Sequence, residues 1–378
     1  MRTSLLYLLA LAMAALPASP ARAIDRPPFY PIFQFPADKI PRIDGDPSDW
    51  DIVPDSYAIG MDQMVNDSNP NQRPDPAKLD AKVKIGWVKG ENRLYFLYEA
   101  YKDYWDFSKP NLNSDIFELV VDGDRSGGTF VSELRPDKSV PAMDAFFAMQ
   151  GVTAQNYHIF TPALDKDWCM AWGPQQWLKA LPYANHAYNY TFKPGEGGKL
   201  IFEFYITPFD LASPEGPEKS KESKLEENKI IGLSWAIMDY RGLPNNSHAF
   251  WNLASDPDKF ALGPDGAPTR ALAGHTMYGN ASLLRPFKLM PLEAKLQKPI
   301  DAKWTFNVTD MSKRLVAFQD QSVGQVTSWH WDFGDGASST EQNPQHTYAR
   351  AGNFVVILDI EGPAGKSRFS RVWDVTLK

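Results

Sequence analysis

Hydrophobic and polar residues alternate with a period of two along several stretches between residues 81 and 239. Such alternation places successive side chains on opposite faces of a β-strand, and these stretches are also rich in β-branched and aromatic residues. The predicted strands are Ala81 to Val88, Arg93 to Ala100, Asp115 to Val121, Lys199 to Ile206 and Ile230 to Asp239. Turn sequences rich in Gly and Asp separate them, so we expect antiparallel strands that are joined in series.

Helical patterns are rare in this chain. The stretch from Pro174 to Leu181 is short, and the stretch from Glu215 to Asn228 is almost entirely charged. A helix without an apolar face has nothing to bury against a core. We therefore predict an all-β protein in which residues 215–228 form a solvated loop or a frayed helix.

The C-terminal part carries four short sequence blocks in a fixed order. They are SWHWDFGDG from Ser328, QNP at 342–344, HTY at 346–348 and AGNFVV at 351–356. Trp329, Trp331 and Phe333 share one face of a predicted strand, and the Gly-Asp-Gly sequence that follows supplies a sharp turn. The pattern predicts a small immunoglobulin-like β-sandwich.

These blocks resemble the polycystic-kidney-disease (PKD) domain, over about Lys303 to Lys378. The resemblance implies an extracellular spacer or adhesion module without catalysis, through which a protein partner could bind. Trp329, Trp331 and His346 could form a ligand-contacting surface, but we expect core and corner positions, as is usual for aromatic residues on an inward strand face.

The larger, N-terminal part resembles the family 9 carbohydrate-binding modules and the wider DOMON-like sandwiches, over about Asp38 to Leu289. The resemblance rests on IDGDPSDW at 43–50, VKIGW at 83–87, SDIFELVVD at 114–122 and FEFYITPF at 202–209. It implies a large antiparallel β-sandwich that binds carbohydrate. We therefore predict a signal peptide at 1–23, this sandwich at 24–292, a linker at 293–302 and the PKD domain at 303–378.

Aromatic and amide side chains in the loops are candidates for a sugar site, because an indole ring covers the apolar face of a sugar while amides bind its hydroxyl groups. In the resembled family a Trp usually precedes the strand that matches Ser114 to Asp122, but here that place reads Asn111-Leu112-Asn113. The candidate ligand residues are Trp105, Asn111, Asn113, Trp168, Trp172, Gln175 and Trp177. The alternative is that these rings pack inside the sandwich.

A possible calcium site follows the predicted strand Asp115 to Val121. Asp122, Asp124 and Ser126 place oxygen atoms at alternate positions, and Glu133 stands at the twelfth position of the same segment. An ordinary Asp-Gly hairpin turn is the alternative. Zinc is less credible, because the six His are scattered and Cys169 is the one cysteine.

Charge and the N-terminus restrict the partners and the compartment. Lys and Arg number 39 against 46 Asp and Glu, which gives a net charge of −7 and no basic stripe for nucleic acid. Residues 1–23 read as a secretory signal whose apolar run is too short to span a bilayer. We expect a secreted protein, periplasmic or extracellular, without a membrane span and with carbohydrate or a cell-surface glycan as partner.

The sequence contains no nucleophile elbow, P-loop or dinucleotide-binding motif, and we expect no catalysis. Glu118, Glu203 and Asp239 lie on predicted strands and are the acids that a glycosidase could use. An accessory module of polysaccharide breakdown with hydrolase activity is thus one alternative, and a purely structural surface protein is another. Some DOMON-like relatives bind haem, for which the side chains to consider are Met143, Met149, Met170, Met238 and His248.

Overall fold

The computed structural model describes residues 24–108, 114–127, 151–163, 167–241, 247–255, 281–297 and 299–377, with the backbone alone at 247–248 and 371–377. The chain divides into two compact units, Met1–Leu292 and Glu293–Lys378. We refer to them as the N-terminal and the C-terminal unit.

The described part of the N-terminal unit consists of strands and single helical turns. The strands are β1 Tyr30–Phe35, β2 Ile59–Gly60, β3 Val65–Asn66, β4 Leu79–Val88, β5 Leu94–Lys102, β6 Ile116–Asp122, β7 Gln155–Phe160, β8 Cys169–Ala171, β9 Ala184–Tyr190, β10 Gly198–Ile206, β11 Phe209–Leu211, β12 Lys221–Glu222, β13 Ile230–Tyr240, β14 Ser247–Asn252 and β15 Arg285–Leu289. The 3₁₀ turns are Pro47–Trp50, Asp55–Tyr57, Met61–Gln63, Gln176–Lys179, Pro217–Lys219 and Ala281–Leu283.

These strands form two layers that β1 joins. The first layer has the order β8-β7-β6-β13-β15 and the second has the order β4-β5-β10-β9. Residues 30–32 of β1 pair with β15 and residues 33–35 pair with β4, in both cases in parallel. The neighbours within each layer are antiparallel. The unit is thus the predicted large β-sandwich, with β1 as a parallel crossover between the layers.

The core lies between the two layers and is rich in aromatic rings. Phe96 on β5 stacks on Phe204 on β10 with ring centroids 4.6 Å apart, and Phe117 on β6 packs edge-on against Phe204. Because side chains alternate along a strand, Phe117, Leu119 and Val121 face this core and the residues between them face away from it. The residues of β6 that face away from the core are therefore the ones that can form a site on the outer face of this layer.

The two stretches with helical character contain short turns. Residues 176–179 form one 3₁₀ turn. The charged segment 215–228 contains the turn Pro217–Lys219 and then β12, which pairs with β11. Its Leu225 is buried in the core, so the expectation of a purely solvated segment is wrong. One apolar side chain is enough to anchor this segment.

The C-terminal unit is a small two-sheet sandwich. Its strands are β16 Trp304–Asp310, β17 Leu315–Asp320, β18 Ser328–Asp332, β19 Ser338–Ser339, β20 Gln345–Thr347, β21 Gly352–Gly362 and β22 Gly365–Leu377, with a 3₁₀ turn at Ala294–Leu296. The sheets have the orders β16-β17-β20 and β19-β18-β21-β22. Both units are all-β over the described residues, which confirms the predicted fold class.

The sequence blocks of the C-terminal unit form its core and its corner. Trp331 and Phe333 are buried, while Trp329 is half-buried and donates its Nε1–H to Asp320 Oδ2 at 2.7 Å. His346 stacks on Phe333 with centroids 4.2 Å apart. Ile300 and Ala302, which the sequence analysis placed in a linker, belong to this core as well.

The described residues contain no helix that is long and apolar enough to cross a bilayer.

Candidate functional site

Polar side chains form a row on the outer face of the first layer, across β13, β6 and β7. Glu118 on β6 lies directly opposite His158 on β7, and Val120 lies between Asn156 on β7 and Ser234 on β13. Residues that are directly opposite in antiparallel strands point to the same side of a sheet. We call Glu118, Asn156, His158 and Ser234 the polar row. All four side chains are almost completely buried.

The Glu118 carboxylate is held from two sides. Its Oε2 lies 2.5 Å from His158 Nδ1, and its Oε1 accepts the Trp172 Nε1–H at 3.0 Å. Trp172 also stands edge-on to the His158 ring, with centroids 6.2 Å apart. The carboxylate therefore fixes the planes of an imidazole and an indole ring.

Several atoms of the polar row have no hydrogen-bond partner in the described structure. They are both side-chain atoms of the Asn156 amide, His158 Nε2 and Ser234 Oγ. Buried polar groups in proteins are normally bonded, and each exception calls for an explanation. These atoms offer an acceptor, a donor, an imidazole nitrogen and a hydroxyl on one side of one sheet, and that side is the candidate site.

Methionines accompany the polar row. Met170 on β8 lies opposite His158, and Met238 on β13 lies opposite Ile116, so both methionines point to the same side as the polar row. Haem binding stays a prediction from the sequence. The side chains of Met143, Met149 and His248 lie outside the described residues.

Two of the predicted ligand residues lie in the core. Trp105 is 1% exposed, stacks on Phe192 at 5.0 Å and donates its Nε1–H to the Gly198 carbonyl. Trp168 is 5% exposed and stacks on His186 at 4.9 Å. Neither ring offers a free face to a ligand in this structure, because aromatic neighbours cover both. This corrects their assignment as ligand contacts.

Of the other five predicted ligand residues, one contacts the polar row, two bond elsewhere in the chain and two lie outside the described residues. Trp172 is half-buried and contacts the polar row. Trp177 is also half-buried, but its Nε1–H bonds the Ser213 carbonyl and its ring packs against Phe209. Gln175 is fully buried and donates to the Ala212 carbonyl at 3.0 Å. Asn111 and Asn113 lie outside the described residues.

The three acids named from the sequence do not meet. Glu118 is on the outer face of the first layer, whereas Glu203 is on the outer face of the second layer. Glu203 Oε2 accepts the Gly45 N–H at 2.7 Å, and its Oε1 accepts the Trp50 Nε1–H at 2.9 Å. Asp239 points inward and pairs with Lys102 Nζ at 2.8 Å. This separation does not provide the pair of facing carboxylates that glycoside hydrolysis uses.

The predicted calcium ligands are placed as follows. Asp122 ends β6 and is buried, whereas Asp124 and Ser126 are exposed in the turn that follows. Glu133 lies outside the described residues. Across the described part of the chain, no group of three or more His, Cys, Asp or Glu side chains is arranged to hold a metal ion.

A groove of about 500 Å³ lies on the C-terminal unit, along β18, β21 and β22. Trp329 and His330 line it, together with an ion pair between Asp359 and Arg368. A protein partner of this unit stays a prediction.

Asn156, His158 and Ser234 were not among the ligand residues predicted from the sequence. A signal was present for His158 and Ser234, because each is a polar residue between two apolar or aromatic residues of a strand, whereas Asn156 follows the polar Gln155. In a strand that is buried on both faces, such residues need a partner. Their joint position depends on the pairing of β6 with β7 and β13, which alternation alone does not define.

The comparisons with known proteins cover the two units separately. The family model of the PKD domain matches residues 299–377. Collagenase ColQ1 of Bacillus cereus is 46% identical over 55 residues, which are 15% of this chain and 6% of that protein. The matches span between 4% and 7% of the length of four such curated relatives.

Solved structures resemble each unit. The PKD1 domain of the Vibrio cholerae metalloprotease PrtV is 25% identical and covers 21% of this chain and 96% of that chain, with a TM-score of 0.19. A family 9 carbohydrate-binding module from Caldicellulosiruptor kristjanssonii, in complex with glucose, is 13% identical and covers 70% of this chain and 96% of that chain, with a TM-score of 0.40. The PKD resemblance suggested by the sequence is thus confirmed by a family model. By the match of its family model, the segment 299–377 belongs to the PKD domain family.

Proposed function

We propose that the N-terminal unit binds a neutral carbohydrate at the polar row, outside the cell, as a non-catalytic accessory unit beside the PKD domain. The observation that carries this proposal is the set of buried polar atoms without partners on Asn156, His158 and Ser234. Leaving a buried donor or acceptor unbonded is unfavourable by about 1–3 kcal/mol, so these atoms favour a ligand that bonds them.

The chemistry of the row favours hydroxyl groups as ligands. An amide, an imidazole nitrogen and a hydroxyl can each donate to or accept from a sugar hydroxyl, which itself does both. Trp172 adds an aromatic surface beside these groups, and its ring is held in place by Glu118. Aromatic and amide groups side by side are the usual means by which a protein site binds a sugar ring.

The charge of the row favours a neutral ligand. Glu118 is the one carboxylate among its four members, and both of its oxygens already face the His158 and Trp172 nitrogens. An anionic ligand would approach a buried carboxylate, which is unfavourable at low dielectric. We therefore expect neutral glycans to bind in preference to acidic ones.

The accessory role and the location rest on the C-terminal unit and on the leader-like residues 1–23. Short stretches of this chain match proteins named as a collagenase and as a metalloprotease, but those matches span a small share of either protein. We propose that the present chain shares with them an extracellular module and that its partner is a glycan.

The test uses the full chain on a glycan array and in calorimetric titration with the best glycan. Asn156→Leu removes the unbonded amide at similar volume, so we expect glycan affinity to fall at least tenfold, while Tm stays equal or rises. Asn252→Leu is the contrast, because Asn252 donates to Asp67 and accepts from Ala254, and its loss should lower Tm.

A matched tryptophan pair separates the site from general packing. Trp172→Phe removes the Nε1–H that Glu118 accepts, whereas Trp177→Phe removes one that Ser213 accepts outside the site. We expect the first to weaken glycan binding and the second to leave it unchanged. Equal effects of the two, or no glycan bound by the full chain, would refute the proposal.

A further inference from the structure

The polar row borders a group of small apolar side chains. Val120 on β6 lies directly between Asn156 on β7 and Ser234 on β13. Val120, Ala154 and Ala236 are completely buried and belong to one hydrophobic cluster, which is separate from the core between the two layers. We call these three side chains the apolar patch.

One end of the apolar patch is covered by the chain and the other end borders the polar row. Leu284 belongs to the same cluster and lies over Gly232, where an added Cβ would be 3.4 Å from the Leu284 Cβ. At the other end, Ala236 lies directly opposite Glu118. A ligand that bonds the polar row therefore also meets the methyl groups of the patch.

The apolar patch does not suit a sugar hydroxyl group. Its methyl groups neither donate nor accept hydrogen bonds, and a hydroxyl group that leaves water without a partner is unfavourable. Burial of a methyl group against the same surface is favourable. The part of the ligand that lies on Val120 is therefore expected to be apolar.

The Asn156 amide offers a donor and an acceptor beside this patch. Its Nδ2 and its Oδ1 are both buried and without a partner in the described structure, and so is Ser234 Oγ on the other side of Val120. An amide group on the ligand carries the complementary functions, a C=O that accepts and an N–H that donates. The site thus combines the partners of an amide with a surface for a methyl group.

We infer that the polar row binds a neutral glycan that carries an acetamido group, as N-acetylhexosamines do, with the amide at Asn156 and the methyl group on the apolar patch. This inference rests on the proposed glycan binding and specifies the class of sugar. The acetamido group is uncharged, which agrees with the Glu118 carboxylate, whose oxygens already face nitrogens of His158 and Trp172.

The test compares trisaccharides that differ only at carbon 2 of each ring. The β-1,4-linked trimer of N-acetylglucosamine carries an acetamido group there, cellotriose carries a hydroxyl group, and the glucosamine trimer carries an amino group. Each is titrated calorimetrically against the full chain. One buried methyl group and one added hydrogen bond should make the affinity for the acetylated trimer about 10- to 50-fold higher than that for cellotriose.

Val120→Thr replaces one methyl group of the apolar patch by a hydroxyl group at similar volume. We expect the ratio of the two affinities, acetylated trimer to cellotriose, to fall about fourfold. Val83→Thr is the matched control, because Val83 on β4 is equally buried but belongs to the core between the layers. Both substitutions should lower Tm. Partial loss of folded protein leaves a ratio of affinities unchanged, so the control should keep the original ratio.

The outcomes separate this inference from the proposed function. Cellotriose or the glucosamine trimer binding as tightly as the acetylated trimer would overturn the inference and leave the glycan site standing. An unchanged affinity ratio in Val120→Thr, or binding on the glycan array that is confined to glycans without an acetamido group, would do the same. Absence of binding to every glycan would remove the proposed function together with the inference.

Discussion

Lys102 connects the two layers of the N-terminal sandwich through a buried ion pair. At the end of β5 in the second layer, its Nζ lies 2.5 Å from Asp115 Oδ1 and 2.8 Å from Asp239 Oδ1, which belong to the first layer. The Lys102 side chain is fully buried. Asp115 keeps two further donors, the N–H groups of Asp106 and Tyr240.

Replacing Lys102 with methionine keeps the length of the side chain and removes its charge. Two buried carboxylates then face each other without the ammonium between them. Removing one partner of a buried ion pair destabilises a protein by about 3–5 kcal/mol. For a unit of this size that corresponds to a fall of Tm of about 6–20 °C, at 2–4 °C per kcal/mol.

The assay is differential scanning calorimetry of the full chain, in which the C-terminal unit serves as an internal reference. Lys84→Met is the control: this lysine is also buried, but it bonds the Val53 carbonyl and an Asp55 side chain that is 94% exposed. Its loss should lower stability by about 1 kcal/mol.

The pH dependence sharpens the test. Burial raises the pKa of Asp115 to about 6, although Lys102 lowers it. In Lys102→Met the pKa rises further, so the folded state binds a proton more readily than the unfolded state, whose value is about 3.9. Stability of the variant should therefore increase as pH falls from about 7.5 to about 5.5. Two results would refute this reasoning. One is a loss of stability in Lys102→Met that is no larger than the loss in Lys84→Met, and the other is a loss that stays the same as pH falls.

Two further pairs of substitutions test residues that hold or form turns. In a urea titration, Glu203→Gln should lower the free energy of unfolding by about 1–3 kcal/mol, because the new amide N–H group would face the donors of Gly45 or Trp50. Glu99→Gln is the control, because Glu99 pairs with Lys82 at the surface. It should change the free energy of unfolding by less than about 0.5 kcal/mol. Gly334→Ala should lower the Tm of the C-terminal unit more than Gly336→Ala does. Both glycines have positive φ, at 77° and 94°, but a Cβ at Gly334 would lie 2.4 Å from the Val355 carbonyl oxygen while Gly336 has open space. Equal losses in calorimetry would show that strain of about 1–2 kcal/mol from positive φ alone is at work.

The strands were predictable because their pattern is local. Alternation between Asp115 and Val121 gave β6 to within a residue at each end, and the blocks around Trp331 gave the C-terminal core. Both faces of β6 are apolar enough to be buried, however, so alternation could not tell which one faces the core. That choice depends on β10, whose Phe204 packs against Phe117 from the other layer.

The ligand residues were harder to predict, because the environment of an aromatic ring depends on contacts between distant parts of the chain. Trp105 stands near asparagines in the sequence, as expected for a sugar-binding ring, but in the structure Phe192 stacks on it. His158 looked like one of six scattered histidines until the pairing of β6 and β7 placed it opposite Glu118. When two paired strands are far apart in the sequence, tertiary packing sets their register. A local sequence pattern therefore does not predict it.

The IDGDPSDW sequence shows how hydrogen-bond satisfaction separates structural acids from binding groups. In the sequence, this turn carries part of the resemblance to family 9 modules, and Glu203 is one of the acids that a glycosidase could use. The structure joins the two: the Glu203 carboxylate accepts the N–H groups of Gly45 and Asp44 and the indole N–H of Trp50. An acid whose oxygens are already engaged by the fold has little left to offer a ligand. Asn156 is the opposite case, since it is equally buried and neither of its amide atoms is bonded to the described chain. Both side chains are polar and almost fully buried, so it is the unbonded atoms that favour Asn156 over Glu203 as a binding group in the proposed site.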